Sequence, residues 1–152
     1  MSRPPAPPDW AGLHARVAQD FPDVDTIDAA ALARRLADGE PLLLVDVRTP
    51  QEQAVSTIPG AVCVAPSIGP DGVAALAKDT RPIVVYCAAG VRSARLARAL
   101  VAAGATEVRN LDGGIFAWAN EGRPLAGPDG PAQRVHGCDA QWERLLAPER
   151  RA

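Results

Sequence analysis

The residue with the clearest chemical potential is Cys87, which follows the apolar run "PIVVY" and precedes "AAGVRSARLARAL". A strand that ends on cysteine, a short loop of small residues and then a helix would surround one sulfur with backbone N–H groups and a helix N-terminus. That arrangement favours an anion. The thiolate is the reactive form of cysteine, and helix N-termini or cationic neighbours promote it. Ala88, Ala89 and Gly90 are small enough to wrap the sulfur without walling it off. A free cysteine at a strand end is equally often a small buried core residue. Position alone leaves both readings open.

The elements that must hold this loop follow from hydrophobic patterning. "LLLVDV" (42–47) and "PIVVY" (82–86) are continuous apolar runs suited to strands covered on both faces. "GAVCVA" and "TEVRNL" add two shorter strands. Asp28 can cap a helix over "AAALARRLADG", with Gly39 as a left-handed stop. "TPQEQAV" and "DGVAALAKD" form short helices, and a longer one runs from about Ser93 to Ala103, with Leu96, Ala99, Leu100 and Ala103 as its buried stripe and Arg95 and Arg98 opposite. Strands alternating with helices imply a mainly parallel sheet. In such sheets ligands gather beyond the carboxyl ends of strands, where both Asp46 and Cys87 fall.

The flanks differ from this centre. The first eight residues, "MSRPPAPP", hold four prolines and read as a flexible lead-in. A short helix between Asp9 and Asp25, carrying Leu13 and Val17 and broken by Pro22, is either an arm packed on the domain or a contact for another protein. After Pro128 the chain turns polar with little pattern. The expected divisions are 1–25, 26–127 and 128–152.

Composition bounds the function. With 47% hydrophobic residues, 22% charged and a net charge of −2, the 152-residue chain has no broad basic field for nucleic acid and no polybasic run for a membrane. Three cysteines at wide spacing, with no leader or long apolar span, lead to the expectation of a reduced, cytoplasmic protein. Cys63, inside "AVCVA", reads as an inert core residue. Cys138, in the polar "RVHGCDAQWERLL", reads as a surface thiol, or as one that takes sulfur from Cys87 or forms a disulfide. "HGC" alone is too weak for a metal site.

Four segments, in order, carry a family resemblance: "LLLVDVRTPQEQ", "IPGAV", "YCAAGVRSARLA" and "LDGGIFAW". Together they resemble the rhodanese family of single-domain sulfurtransferases over about Thr26 to Gly127. The resemblance implies an α/β fold with a five-stranded, mostly parallel sheet flanked by helices on both faces. It implies that Cys87 accepts sulfane sulfur as a persulfide from a small anionic donor such as thiosulfate. A thiol, including a protein thiol, or cyanide then removes that sulfur, with no cofactor and no metal. Backbone N–H groups from Ala88, Ala89, Gly90, Val91, Arg92 and Ser93 would cradle the terminal sulfur. Arg92 would face the entrance and attract the donor, and Ser93 would cap the helix or touch the bound sulfur. Asp46 and Arg48 match the family's Asp-Val-Arg and would scaffold the site.

Rival readings follow from the same resemblance. Phosphatases and arsenate reductases of this fold use Cys, five residues, then Arg. Here four residues separate Cys87 from Arg92, and Ser93 stands where that arginine would be. A Cys–His hydrolase would require His14 or His136 to fold back onto the loop. A non-catalytic binding module with recruiting arms is the alternative from another class. Ser56-Thr57 replaces the family's frequent Gly-His before "IPGA", which alters the rim.

Overall fold

Val, Leu and Ile crowd the centre of the sheet because their strands are covered on both sides. In the computed structural model, which describes residues 9–152, β1 is Thr26–Ile27, β2 Leu43–Asp46, β3 Val62–Cys63, β4 Ile83–Tyr86 and β5 Val108–Leu111. They form one sheet in the order β1-β5-β4-β2-β3, and every pairing is parallel. All four positions of β2 and of β4 are buried, which is what their unbroken apolar runs require.

Alternation divides those strands between two cores. Val45, Val85, Cys87 and α5 (Val91–Ala102), through Leu96 and Leu100, share one face. Leu44, Val84 and Leu111 meet α1 (Trp10–Asp20), α2 (Ala29–Ala37) and α6 (Gly114–Asn120) on the other. The short helices α3 (Pro50–Val55) and α4 (Pro70–Ala77) complete the layer. The α/β sheet flanked by helices on both faces is therefore as the motifs implied.

Several local expectations shift. α5 begins at Val91, two positions before Ser93, because Gly90 takes a left-handed conformation (φ +114°) and turns the loop directly into the helix. Its buried face is consequently Ser93, Ala94, Leu96, Ala97 and Leu100, whereas Ala103 lies outside the helix and is exposed. Arg95 and Arg98 are exposed as expected. Cys63 is not a core residue. It is exposed, because β3 is a two-residue edge strand paired on one side only.

Both flanks are built into the described body. The α1 arm is packed: Asp9 caps it by accepting from Gly12 N at 2.7 Å, and Leu13 enters the core at 1% exposure. Its exit is tied to α5 by the Arg98–Asp23 ion pair and by Arg98 over the Phe21 ring at 4.6 Å. The polar segment after Pro128 continues a hairpin of β6 (Leu125–Gly127) and β7 (Gly130–Ala132), then buries Val135, Leu145 and Leu146. The proline-rich lead-in lies outside the described residues. Among the described residues, no helix is long and apolar enough to cross a membrane.

Candidate active site

Cys87 stands just past the end of β4, 2% exposed, with its sulfur held from two sides. Gly90 N donates to Sγ at 3.2 Å, and Ser93 Oγ lies 3.3 Å from it. Ser93 does not cap α5; as the third helical residue it points toward the sheet, and Gly90 occupies the cap position without a side-chain bond. The amides of Val91, Arg92 and Ser93 open the helix and have no intrahelical acceptor. They stand at the end of the helix that favours negative charge.

Asn110, on β5, organises this loop from behind. Its Nδ2 donates to Gly90 O at 3.0 Å, and its Oδ1 accepts from Ser93 Oγ at 2.6 Å. A carbonyl can only accept, so the amide cannot flip without setting two oxygens against each other. Ser93 Oγ carries one proton and stands within reach of two acceptors, Asn110 Oδ1 at 2.6 Å and Cys87 Sγ at 3.3 Å.

The carbonyl side of the loop is anchored by α6. Ile115 N donates to Cys87 O and Phe116 N to Ala88 O, each at 3.0 Å. The chain reaches that position through Gly113 and Gly114, both with positive φ. A Cβ on Gly114 would stand 2.5 Å from the carbonyl oxygens of Cys87 and Ala88, so glycine is required by contact as well as by backbone conformation.

Asp46 and Arg48 lie behind the site, both fully buried. The Asp46 carboxylate accepts from Arg48 N at 2.9 Å and from Arg48 Nη2 at 2.8 Å, and Nη2 also donates to Ser56 O at 2.6 Å. Burial works against the guanidinium charge, and the Asp46 hydrogen bonds outweigh it, so the Arg48 pKa is raised. Neither residue lines the cavity in front of Cys87. Their geometry is that of a scaffold beside the β4 end.

That cavity, of about 670 Å³, is lined by Cys87, Ala88, Ala89, Val91 and Arg92 of the loop and by residues the motifs did not point to. Chief among these is Glu52. It is 3% exposed and forms a two-pronged ion pair with Arg92, Oε1 to Nη1 at 2.8 Å and Oε2 to Nη2 at 2.9 Å. Burial pushes its carboxyl upward, but the Arg92 hydrogen bonds prevail and hold it down at about 2. Arg92 lines the cavity, and its guanidinium is paired with Glu52. The sequence carried a trace of Glu52 in "TPQE", where Thr49 and Glu52 form a capping box on α3. Its reach to Arg92 was not legible.

The segment after Pro128 supplies the opposite wall, with His136, Cys138 and Trp142 among its members. Cys138 is exposed as a residue, but its sulfur donates to Glu52 Oε2 at 3.1 Å and lies 3.8 Å from Arg92 Nη2. Burial, then the Glu52 charge, push its thiol up to about 12. The end segment thus folds back toward the loop, but His136 Nδ1 accepts from Cys138 N at 3.0 Å, and no hydrogen bond joins it to Cys87 among the described residues. His14 pairs instead with Asp112 at 2.7 Å. A Cys–His pair is not assembled. Among the described residues, no group of three or more His, Cys, Asp or Glu side chains is placed to hold a metal ion.

A family profile described as Rhodanese-like domain matches residues 28–121, the span containing the loop, its β2 scaffold and its α6 anchor. The chain belongs to the rhodanese-like domain family. Among relatives of this rhodanese-like chain is a sulfurtransferase from Allochromatium vinosum, 43% identical over 70% of this chain and 99% of that protein. A rhodanese-like domain protein from Staphylococcus aureus has a crystal structure that is 32% identical, with a TM-score of 0.59 over 68% of this chain and 98% of that one. A thiosulfate sulfurtransferase structure from Pseudomonas aeruginosa, 22% identical, shares the fold with a TM-score of 0.66 over 88% of this chain and 25% of that one. The α1 arm and most of the cavity's far wall fall outside the matched residues.

Proposed function

We propose that this rhodanese-like protein is a sulfurtransferase that carries sulfane sulfur on Cys87. The observation that carries the reading is the sulfur itself, held at 3.2 Å by Gly90 N and at 3.3 Å from Ser93 Oγ, at a helix N-terminus and open to a cavity. The Cys87 thiolate attacks the outer sulfur of a donor, for which thiosulfate is the simplest form. The donor's S–S bond breaks, sulfite leaves with the electron pair, and Cys87 keeps a persulfide. An acceptor thiolate or cyanide next attacks the terminal sulfur and returns the Cys87 thiolate, giving ping-pong transfer. Neither step asks for a general base once the thiolate is formed, consistent with two histidines that do not bond the nucleophile.

Loop size supports sulfur over a phosphoryl group. Four residues lie between Cys87 and Arg92, and the Ser93 hydroxyl, rather than a guanidinium, meets the sulfur. Arg92, one position earlier than a phosphate-binding arginine would stand, is held by a buried carboxylate that would repel a phosphate.

Treatment with a sulfane donor followed by intact-mass measurement is expected to show the gain of one sulfur, removable by cyanide and absent in Cys87→Ala. No gain, or a gain that persists in Cys87→Ala, overturns the assignment. Efficient hydrolysis of an aryl phosphate would do the same.

A further inference from the structure

Two thiols share the cavity, and the transfer chemistry uses one of them. Cys87 lines it from the loop and Cys138 from the segment after Pro128. The third, Cys63, stands on the edge strand β3 and is not among the lining residues. Arg92, in the first turn of α5, connects the pair: its Nη2 lies 3.8 Å from Cys138 Sγ. Burial disfavours the Arg92 charge, while Glu52 and the sulfurs of both Cys87 and Cys138 favour it, so one guanidinium senses both thiols.

Cys138 is held where a side chain is seldom found. Its φ of +69° is the one positive value outside glycine among the described residues. The turn that enforces it is tied at several points. His136 Nδ1 accepts from Cys138 N at 3.0 Å, Asp139 N donates to Gly137 O at 2.9 Å, and Asp139 Oδ1 accepts from Trp142 N at 2.9 Å. Gly137 packs so closely on Glu143 that a Cβ there would meet its side chain at 2.8 Å. Farther back, Ser56 Oγ donates to Arg134 O at 2.7 Å, and Val135 is fully buried. A left-handed cysteine fixed from this many sides is presented to the cavity by its surroundings.

The protonation states are complementary. Burial and then the Glu52 carboxylate, 3.1 Å from the sulfur, push the Cys138 thiol up to about 12, so it carries its proton at working pH. The terminal sulfur of a Cys87 persulfide, set among loop amides at a helix N-terminus, is held as an anion. An anionic sulfur needs a proton before it can leave as sulfide, and Cys138 brings one.

We propose that Cys138 is a resolving thiol, which closes on the Cys87 persulfide to form a disulfide and expels the carried sulfur as sulfide. The proposal rests on the sulfurtransferase reading and adds the fate of the sulfur when no acceptor arrives. The step balances by itself: Cys87–S–S⁻ and Cys138–SH give Cys87–S–S–Cys138 and HS⁻. Cys138 Sγ bonds to Cys87 Sγ, the persulfide S–S bond breaks with its electron pair on the terminal sulfur, and that sulfur takes the Cys138 proton. The terminal sulfur is reduced and the Cys138 sulfur oxidised, so no outside oxidant enters. The outcome differs from that of an acceptor thiol, which departs with the sulfur and returns free Cys87.

The test loads the full chain with thiosulfate under anaerobic conditions, removes the donor, and follows intact mass with no acceptor present. In the wild type the gain of one sulfur is expected to give way to a mass two hydrogens below the reduced protein, with release of one sulfide per chain. Digestion without reductant is expected to yield a peptide pair joining Cys87 to Cys138, a result read on the wild type with no variant to misfold. Cys138→Ser is expected to hold the added sulfur at least about tenfold longer. Cys63→Ser is expected to lose it at the wild-type rate. A sulfur that stays on wild-type Cys87 without sulfide release, equal decay in Cys138→Ser, or a crosslink through Cys63 overturns the resolving role and leaves the sulfurtransferase reading intact. If Cys87 gains no sulfur in either the wild type or Cys138→Ser and no crosslink forms, the sulfurtransferase reading fails, and the resolving role with it.

Discussion

At the residue scale, the reactive sulfur depends on a polar side chain that is neither nucleophile nor cradle. Asn110 is 1% exposed and spans two groups that have no other role for it, Gly90 O at 3.0 Å and Ser93 Oγ at 2.6 Å. Removing it takes from the Gly90 carbonyl the shorter of its two bonds, leaving Ala94 N at 3.3 Å, and takes from the Ser93 hydroxyl its closer partner, leaving Cys87 Sγ at 3.3 Å, each loss costing about 1 kcal/mol. Asn110→Ala is therefore expected to lower unfolding free energy by about 2 kcal/mol in urea titration. Because part of that loss is the bond between Asn110 and the Ser93 hydroxyl, adding Ser93→Ala to Asn110→Ala should cost about 1 kcal/mol less than Ser93→Ala alone. Additive values would mean the two side chains do not act as a pair. In the sequence, Asn110 was visible as a polar residue inside the strand-like "TEVRNL", but nothing there connected it to a loop 20 residues earlier.

At the element scale, the Cys87 loop is clamped between the start of α5 and the start of α6. The first gives amides to the sulfur side; the second takes the carbonyls of Cys87 and Ala88. Gly114 is the point where these two demands meet, since a Cβ would collide with both carbonyls and φ is +57°. Gly114→Ala is expected to destabilise the fold by about 3 kcal/mol, from backbone strain and overpacking together. It should also slow sulfur loading of Cys87 more than the lost folded fraction explains. A change below about 0.5 kcal/mol in chemical denaturation would show that the loop can shift freely. The paired glycines stood in the quoted "LDGGIFAW", whereas the carbonyls 2.5 Å from a Cβ at Gly114 belong to the packing of the Cys87 loop against α6.

For the whole molecule, the domain matched by the family and the segments outside it form one described body. Val135, Leu145 and Leu146 are buried at 0%, 6% and 1% exposure, and the same segment walls the cavity. Burial of three such aliphatic side chains contributes about 5 kcal/mol as an upper figure. That is comparable with the total stability of many domains. Ending the chain after Gly127 is thus expected to yield a protein whose thermal transition, followed by circular dichroism, is lost or markedly lowered. A truncated chain that melts at the full-length temperature would show the segment to be an ornament. Irregular spacing explains why this was not legible: three apolar residues scattered through a polar stretch make no helix or strand period.

What the amino-acid order determined by itself was everything that depends on neighbours along the chain. Unbroken apolar runs specify doubly covered strands, Asp9, Asp28 and Thr49 specify helix starts, and strand, Cys87, small loop and helix specify a sulfur at a helix N-terminus. Four ordered motifs then sufficed for the family. Tertiary structure alone decided which charges meet. Arg92 read as a cation waiting for a donor until the fold set Glu52, 40 positions away, against it. Cys138 read as a surface thiol until a separation of 86 positions closed onto the same carboxylate. Pairings of this kind follow from where a parallel sheet brings its strand ends and from how the last segment returns over them, and no local periodicity encodes either.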